Sequence, residues 1–111
     1  MQINYKPKKL EKSVKDSRAI IKNYGTRAKL VKKRLDELTA APNLSDFKNI
    51  PQANCHELKN NRKGELAIDI SANHRIIFLP DNEPVPTKAD GGLNWEKVTR
   101  IIIISIGEDY H

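Results

Sequence analysis

Between residues 8 and 23, Leu10, Val14, Ser17 and Ile21 follow one another at spacings of four, three and four, a period that predicts one amphipathic helix. Gly25 stands where such a helix commonly ends, because glycine tolerates the left-handed cap conformation. A second helix is predicted from about residue 26 to residue 40, with Ala28, Val31, Leu35 and Leu38 as its apolar stripe and Pro42 as its stop. Lys29, Lys32, Lys33 and Arg34 fall mostly off that stripe. The two helices therefore read as an antiparallel hairpin with apolar inner faces and basic outer ones.

After a proline-bounded segment holding Leu44 and Phe47, the period changes to two. Leu66, Ile68 and Ile70 alternate with Ala67 and Asp69, as in a half-buried strand. Residues 55–59 are expected to pair with residues 65–71 across a polar turn at 60–64, and Ala72-Asn73 to turn the chain into a strand at 74–79. A last strand at 98–106 is apolar on both faces, which predicts a central position. Residues 2–5 offer a short first strand, and residues 80–92, with three prolines and two glycines, read as a surface loop. Helices first and a mainly antiparallel sheet of four to five strands afterwards predict a single α+β domain over residues 1–111.

Composition narrows the classes. At 111 residues and 38% hydrophobic content the chain has material for one modest core. One cysteine, Cys55, excludes an internal disulfide framework and a cysteine-based metal cluster, which favours a reducing compartment. No apolar run approaches a membrane span and the first residues lack the apolar centre of a signal peptide, so a cytoplasmic location is expected. The net charge of +6 is unevenly spread. Residues 1–40 carry 12 Lys+Arg against 4 Asp+Glu, a balance of +8, and residues 41–111 carry 8 against 10, a balance of −2. A surplus confined to the helices points to a polyanion partner for that part of the chain.

Three clusters carry candidate chemistry. His56 to Gly64 (HELKNNRKG) places a histidine and the cations Lys59, Arg62 and Lys63 around one turn; Asn73-His74-Arg75 opens the next strand; and Glu108-Asp109-Tyr110-His111 follows directly on the most hydrophobic strand. Walker, Rossmann and Gly-x-Ser-x-Gly patterns are absent. No two histidines have the close spacing of a metal pair, so neither a metal nor another cofactor is expected.

In their order and spacing, the string HELKNNRKG at 56–64, the string NHRIIF at 73–78 and the terminal EDYH at 108–111 resemble the HigB branch of the RelE/ParE toxin superfamily. The basic helical hairpin ahead of them is similar too, so the likeness extends over nearly the whole chain, and the stretch DGGLNW at 90–95 resembles a subgroup with a longer loop before the last strand. The resemblance implies a RelE-like fold and the toxin of a type II toxin–antitoxin pair. Such a toxin is a metal-independent endoribonuclease that cuts mRNA on the translating ribosome and is neutralised by a HigA-like helix-turn-helix antitoxin. It places the catalytic positions at His56, Lys59, Arg75, Asp109, Tyr110 and His111. His74 departs from it, standing where an aromatic residue is usual.

Those residue types suit RNA cleavage. The RNA 2′-hydroxyl attacks its own 3′-phosphate when a base takes its proton and an acid protonates the departing 5′-oxygen, and imidazole matches either role near neutral pH. Arg75, Lys59 and the flanking Arg62 and Lys63 can stabilise the phosphorane, arginine best because its planar fork matches two phosphate oxygens. Lys29, Lys32 and Lys33 would contact ribosomal RNA. Two other readings fit the same fold: a ParE-like DNA gyrase poison, which needs no acid–base residues, and a weakly active module that binds an antitoxin or nucleic acid.

Overall fold

In the computed structural model, which describes residues 1–109, five strands form one sheet: β1 (Gln2–Tyr5), β2 (His56–Glu57), β3 (Leu66–Asp69), β4 (His74–Pro80) and β5 (Arg100–Asp109). Their order across the sheet is β1-β5-β4-β3-β2. β1 runs parallel to β5 and every other neighbouring pair is antiparallel. The expected α+β class and mainly antiparallel sheet are found, with five strands and the doubly apolar last strand in the interior. The helices are α1 (Lys8–Ser13), α2 (Ser17–Tyr24), α3 (Ala28–Ala40) and α4 (Leu44–Phe47).

The single helix expected over residues 8–23 is two. The chain is extended at Asp16, whose carboxylate accepts the backbone N–H of Ala19 at 2.8 Å and caps α2. That break resets the helical phase, so Ile20 is buried and Ile21, assigned to the stripe by its spacing, is 65% exposed. α3 follows the predicted stripe: Ala28, Val31, Leu35 and Leu38 are all buried. Arg34, expected among the outward cations, is instead buried on the same side. Its Nε donates to the Asp69 carbonyl at 2.8 Å, Nη1 to Glu37 at 2.8 Å and Nη2 to the Gln52 carbonyl at 3.1 Å, which satisfies the charge inside the fold.

The core lies between the helices and one face of the sheet. Ile20, Val31, Leu35 and Leu38 meet Leu66, Ile68, Ile76, Phe78, Ile101 and Ile103, with Leu44 and Phe47 of α4 closing one end. β2 is shorter than expected: only His56↔Ala67 and Glu57↔Leu66 pair, and beyond them the Leu58 N–H donates to the Glu65 carbonyl. β5 begins at Arg100 and continues past Ile106 to Asp109, so Glu108 and Asp109 belong to a strand.

Two irregularities in β5 shape its far end. Ile76 pairs with Ile106 while Arg75 pairs with Glu108, and Phe78 pairs with Ile103 while Ile77 pairs with Ser105, so Gly107 and Ile104 are the extra residues. Gly107 has φ +89°, a conformation that glycine adopts without the penalty of a Cβ atom.

Candidate functional site

Residues paired in register across a sheet share a face. The rows His56–Ala67–Ile77–Ser105 and Asp69–Arg75–Glu108 therefore lie on the face turned away from the helices. His56 on β2 and Arg75 on β4 are two strands and one same-face step apart, about 12 Å between Cα atoms. Both side chains are long enough to approach one phosphate placed between them.

His56 is partly buried, next to Cys55, which points into the core. Asn54 takes a left-handed conformation (φ 48°, ψ 52°), which asparagine tolerates better than most residues, and its carbonyl lies 2.7 Å from His56 Nδ1. A carbonyl only accepts, so Nδ1 carries the proton and Nε2 is the acceptor nitrogen of the neutral ring. Asn54 is itself held by Asp69, whose carboxylate accepts its Nδ2 at 3.2 Å. Burial pushes the Cys55 thiol up to about 12, so this cysteine behaves as a core residue.

The second part of the site is an ion-pair cluster. Glu108 accepts both terminal nitrogens of Arg62, Nη2 at 3.0 Å, and also Arg75 Nη2 at 2.9 Å. Arg62 is held in addition by Glu65, Nε to Oε1 at 2.9 Å. The hydrogen bond from Arg62 is the main reason that the Glu108 carboxyl is held below the usual carboxylate range, against a smaller opposing effect of burial. Glu108 in turn raises Arg62, which keeps that guanidinium charged.

Arg62 lies in the connection that enters β3 at Leu66, yet it meets Glu108 at the level of Asp69, at the other end of β3 and two strands across. That is about 10 Å along the strands and about 10 Å across them. Arg62 thus carries the connection between β2 and β3 into contact with the far end of β5. Ala67 and Ile77 on this face are inaccessible to solvent although they lie outside the core beneath the helices.

The remaining expected residues are more dispersed. Lys59 is exposed just before the single helical turn at Asn60–Arg62. Lys63 lines a cleft of about 440 Å³ together with Glu57, Leu79, Val85 and Leu93. The long loop walls that cleft and is fastened at the sheet edge, where Trp95 Nε1 donates to Glu57 at 3.1 Å and Lys48 stacks over the indole. It borders the β2 edge beside His56, a placement that its proline and glycine content did not disclose. Asp109 ends β5 opposite His74, and Tyr110 and His111 lie outside the described residues.

Lys29, Lys32 and Lys33 stand on α3, across the sheet from His56 and Arg75, and Lys32 pairs with Asp36 at 3.1 Å. The structure thus gathers His56, Arg62 and Arg75 on one face and keeps the helix lysines apart from them. Glu108, which the sequence placed only within a terminal cluster, joins the two arginines. Among the described residues no three His, Cys, Asp or Glu side chains gather as a metal site would need, and no helix is long and apolar enough to cross a membrane.

No protein-family model matches the chain, and no curated protein matches its sequence. Solved structures do match. A chain of the YoeB–YefM complex from Staphylococcus aureus superposes with a TM-score of 0.57 at 16% identity, over 99% of this chain and 98% of that one. The YoeB/ParE toxin from Agrobacterium tumefaciens gives 0.52 at 16% identity, over 99% and 100%. At such identities the shared property is the fold, and over almost its whole length this chain has the α+β fold of those two proteins.

Proposed function

We propose that the protein is the toxin of a type II toxin–antitoxin pair and that it acts as a metal-independent, ribosome-dependent endoribonuclease. The observation that carries the reading is the common face of His56 and Arg75, with Asp109 at the end of the adjoining strand. The likeness of fold to proteins described as YoeB and YoeB/ParE toxins supports the toxin class. The HigB-like spacing of His56, Lys59, Arg75 and the terminal Asp109-Tyr110-His111 supports the finer assignment.

In this reading His56, its Nδ1 committed to Asn54, accepts the proton of the RNA 2′-hydroxyl at Nε2. The 2′-oxygen bonds to the adjacent phosphorus and the bond from phosphorus to the 5′-oxygen breaks, leaving a 2′,3′-cyclic phosphate. An acid from the terminal Asp109-Tyr110-His111 group protonates the departing 5′-oxygen, and Arg75 stabilises the phosphorane. Lys59 and Lys63 hold neighbouring phosphates, and Lys29, Lys32 and Lys33 meet ribosomal RNA on the far side of the molecule. The neutralising partner is a HigA-like helix-turn-helix antitoxin; a structural neighbour described as a complex contains YefM.

The test is to map mRNA ends in a translating extract. The protein is expected to create new ends only when ribosomes are present, and both His56→Ala and deletion of residues 109–111 are expected to remove them. Cleavage that survives both changes overturns the catalytic assignment. Inhibited DNA supercoiling without mRNA cleavage would turn the reading to a gyrase poison, in which His56 and Arg75 have no chemical part.

A further inference from the structure

We infer that Arg62 and Arg75 form one oxyanion cradle, and that the Glu108 carboxylate is its internal occupant, exchanging with a phosphate of the bound polynucleotide. The identity of the ligand rests on the nuclease reading; the cradle itself rests on geometry.

Arg62 presents Nη1 and Nη2 to the two oxygens of Glu108, and Arg75 brings Nη2 to one of the same oxygens. A guanidinium fork that fits a carboxylate also fits two non-bridging oxygens of a phosphodiester. The cradle is within reach of a ligand: the side chains of Arg62, Arg75 and Glu108 are 33%, 13% and 26% exposed. It also stands on the face that carries His56, so a phosphate in it lies on the side where the proposed base operates.

Without an anion, two guanidinium groups sharing one site would repel each other. Glu108 removes that repulsion and keeps the cradle assembled. Glu65 secures the arrangement when Glu108 leaves, since it binds Arg62 through Nε and Nη2 and so keeps the guanidinium over the sheet. Release of Glu108 is a side-chain rotation at the end of β5 and requires no change in strand pairing. The cost of the arrangement is competition: a phosphate binds only by displacing a carboxylate that the chain itself supplies. Isolated phosphates are therefore held weakly, and a polynucleotide that also engages the neighbouring lysines displaces Glu108 readily.

Inorganic phosphate is the probe, with the arginine Nε–H signals of the full-length protein followed by NMR. In the wild type, phosphate is expected to shift the signals of Arg62 and Arg75 and the side-chain carboxyl carbon of Glu108. Glu108→Gln, close in shape and neutral, is expected to bind phosphate about tenfold tighter. Adding Arg75→Gln is expected to reverse that gain. Equal or weaker binding by Glu108→Gln makes Glu108 a strut and overturns the inference, as do wild-type shifts confined to other arginines. If Glu108→Gln does not fold, the wild-type shifts decide alone. The phosphate readout uses no ribosome. Tightened binding without mRNA cleavage upholds the cradle and removes the nuclease, and cleavage with unaltered phosphate binding does the reverse.

Discussion

Arg62 grips Glu108 through both ends of its guanidinium, joining the connection between β2 and β3 to the far end of β5 across 46 residues of sequence. This pair ties the connection to β5 and brings a second arginine to the one already on β4. Its contribution is local order more than raw stability, since both side chains keep some contact with water and such pairs add little net energy.

The pair should show in the pH dependence of stability. Because the folded Glu108 carboxyl titrates below its ordinary value, its stabilisation is complete above the unfolded carboxylate value of about 4.3 and is lost as pH falls through the folded value. Glu108→Gln is expected to cost about 1 kcal/mol near neutral pH, a figure reduced for solvent screening. In thermal unfolding, the difference in Tm between wild type and variant should hold constant from about pH 6 to pH 8 and close in acid. A gap that persists in acid would assign the effect to shape and not to charge.

Gly107 tests the bulge. A Cβ added there meets nothing within 4 Å, so no steric clash opposes alanine, but φ is +89°. Gly107→Ala is expected to lower stability by about 1 kcal/mol through the backbone alone and to turn Glu108 away from Arg75. Urea unfolding measures the first effect, and the Arg75 Nε–H signal reports the second. An unmoved unfolding midpoint would mean that the bulge relaxes at no cost.

What the sequence disclosed followed from regular periods. The stripe Ala28, Val31, Leu35, Leu38 and the alternation around Leu66, Ile68 and Ile70 placed the core, whereas the common face of His56 and Arg75 came only with the strand register. Phase errors arose where a cap interrupts a period: Asp16 restarts the helix, and Ile20 replaces Ile21 as the buried residue. Arg34 was legible by spacing, three residues after Val31 and four before Leu38, but its charge argued for solvent. The Arg62–Glu108 pair left no local trace, because its partners are 46 residues apart and meet only through the sheet order.

Arg34 carries a stability prediction. It holds the carbonyls of Asp69 and Gln52 and the carboxylate of Glu37, and Asn54, whose carbonyl fixes His56, is tied to the Asp69 side chain. Arg34→Ala is expected to cost about 3 kcal/mol by removing a buried guanidinium together with its three hydrogen bonds. Lys33→Ala, one position away and exposed, should stay within about 0.5 kcal/mol. Guanidinium unfolding of the two variants tests the contrast, and similar small losses would show that Arg34 is dispensable to the fold.

The lysines of α3 lie on the side of the molecule away from His56, so under the proposed ribosome-dependent cleavage their removal should weaken docking and leave the chemical step alone. Each phosphate contact contributes about 0.7 to 0.9 to the slope of log K against log salt. Neutralising Lys29 and Lys33 together is therefore expected to flatten the slope of ribosome binding by about 1.5. Lys32, already paired with Asp36, should contribute less than either of them. Cleavage at saturating ribosome concentration should keep its rate while the half-saturating concentration rises. A fall in the saturated rate would instead mean that the helices and the His56 face act on the same stretch of RNA, which the two-layer arrangement argues against.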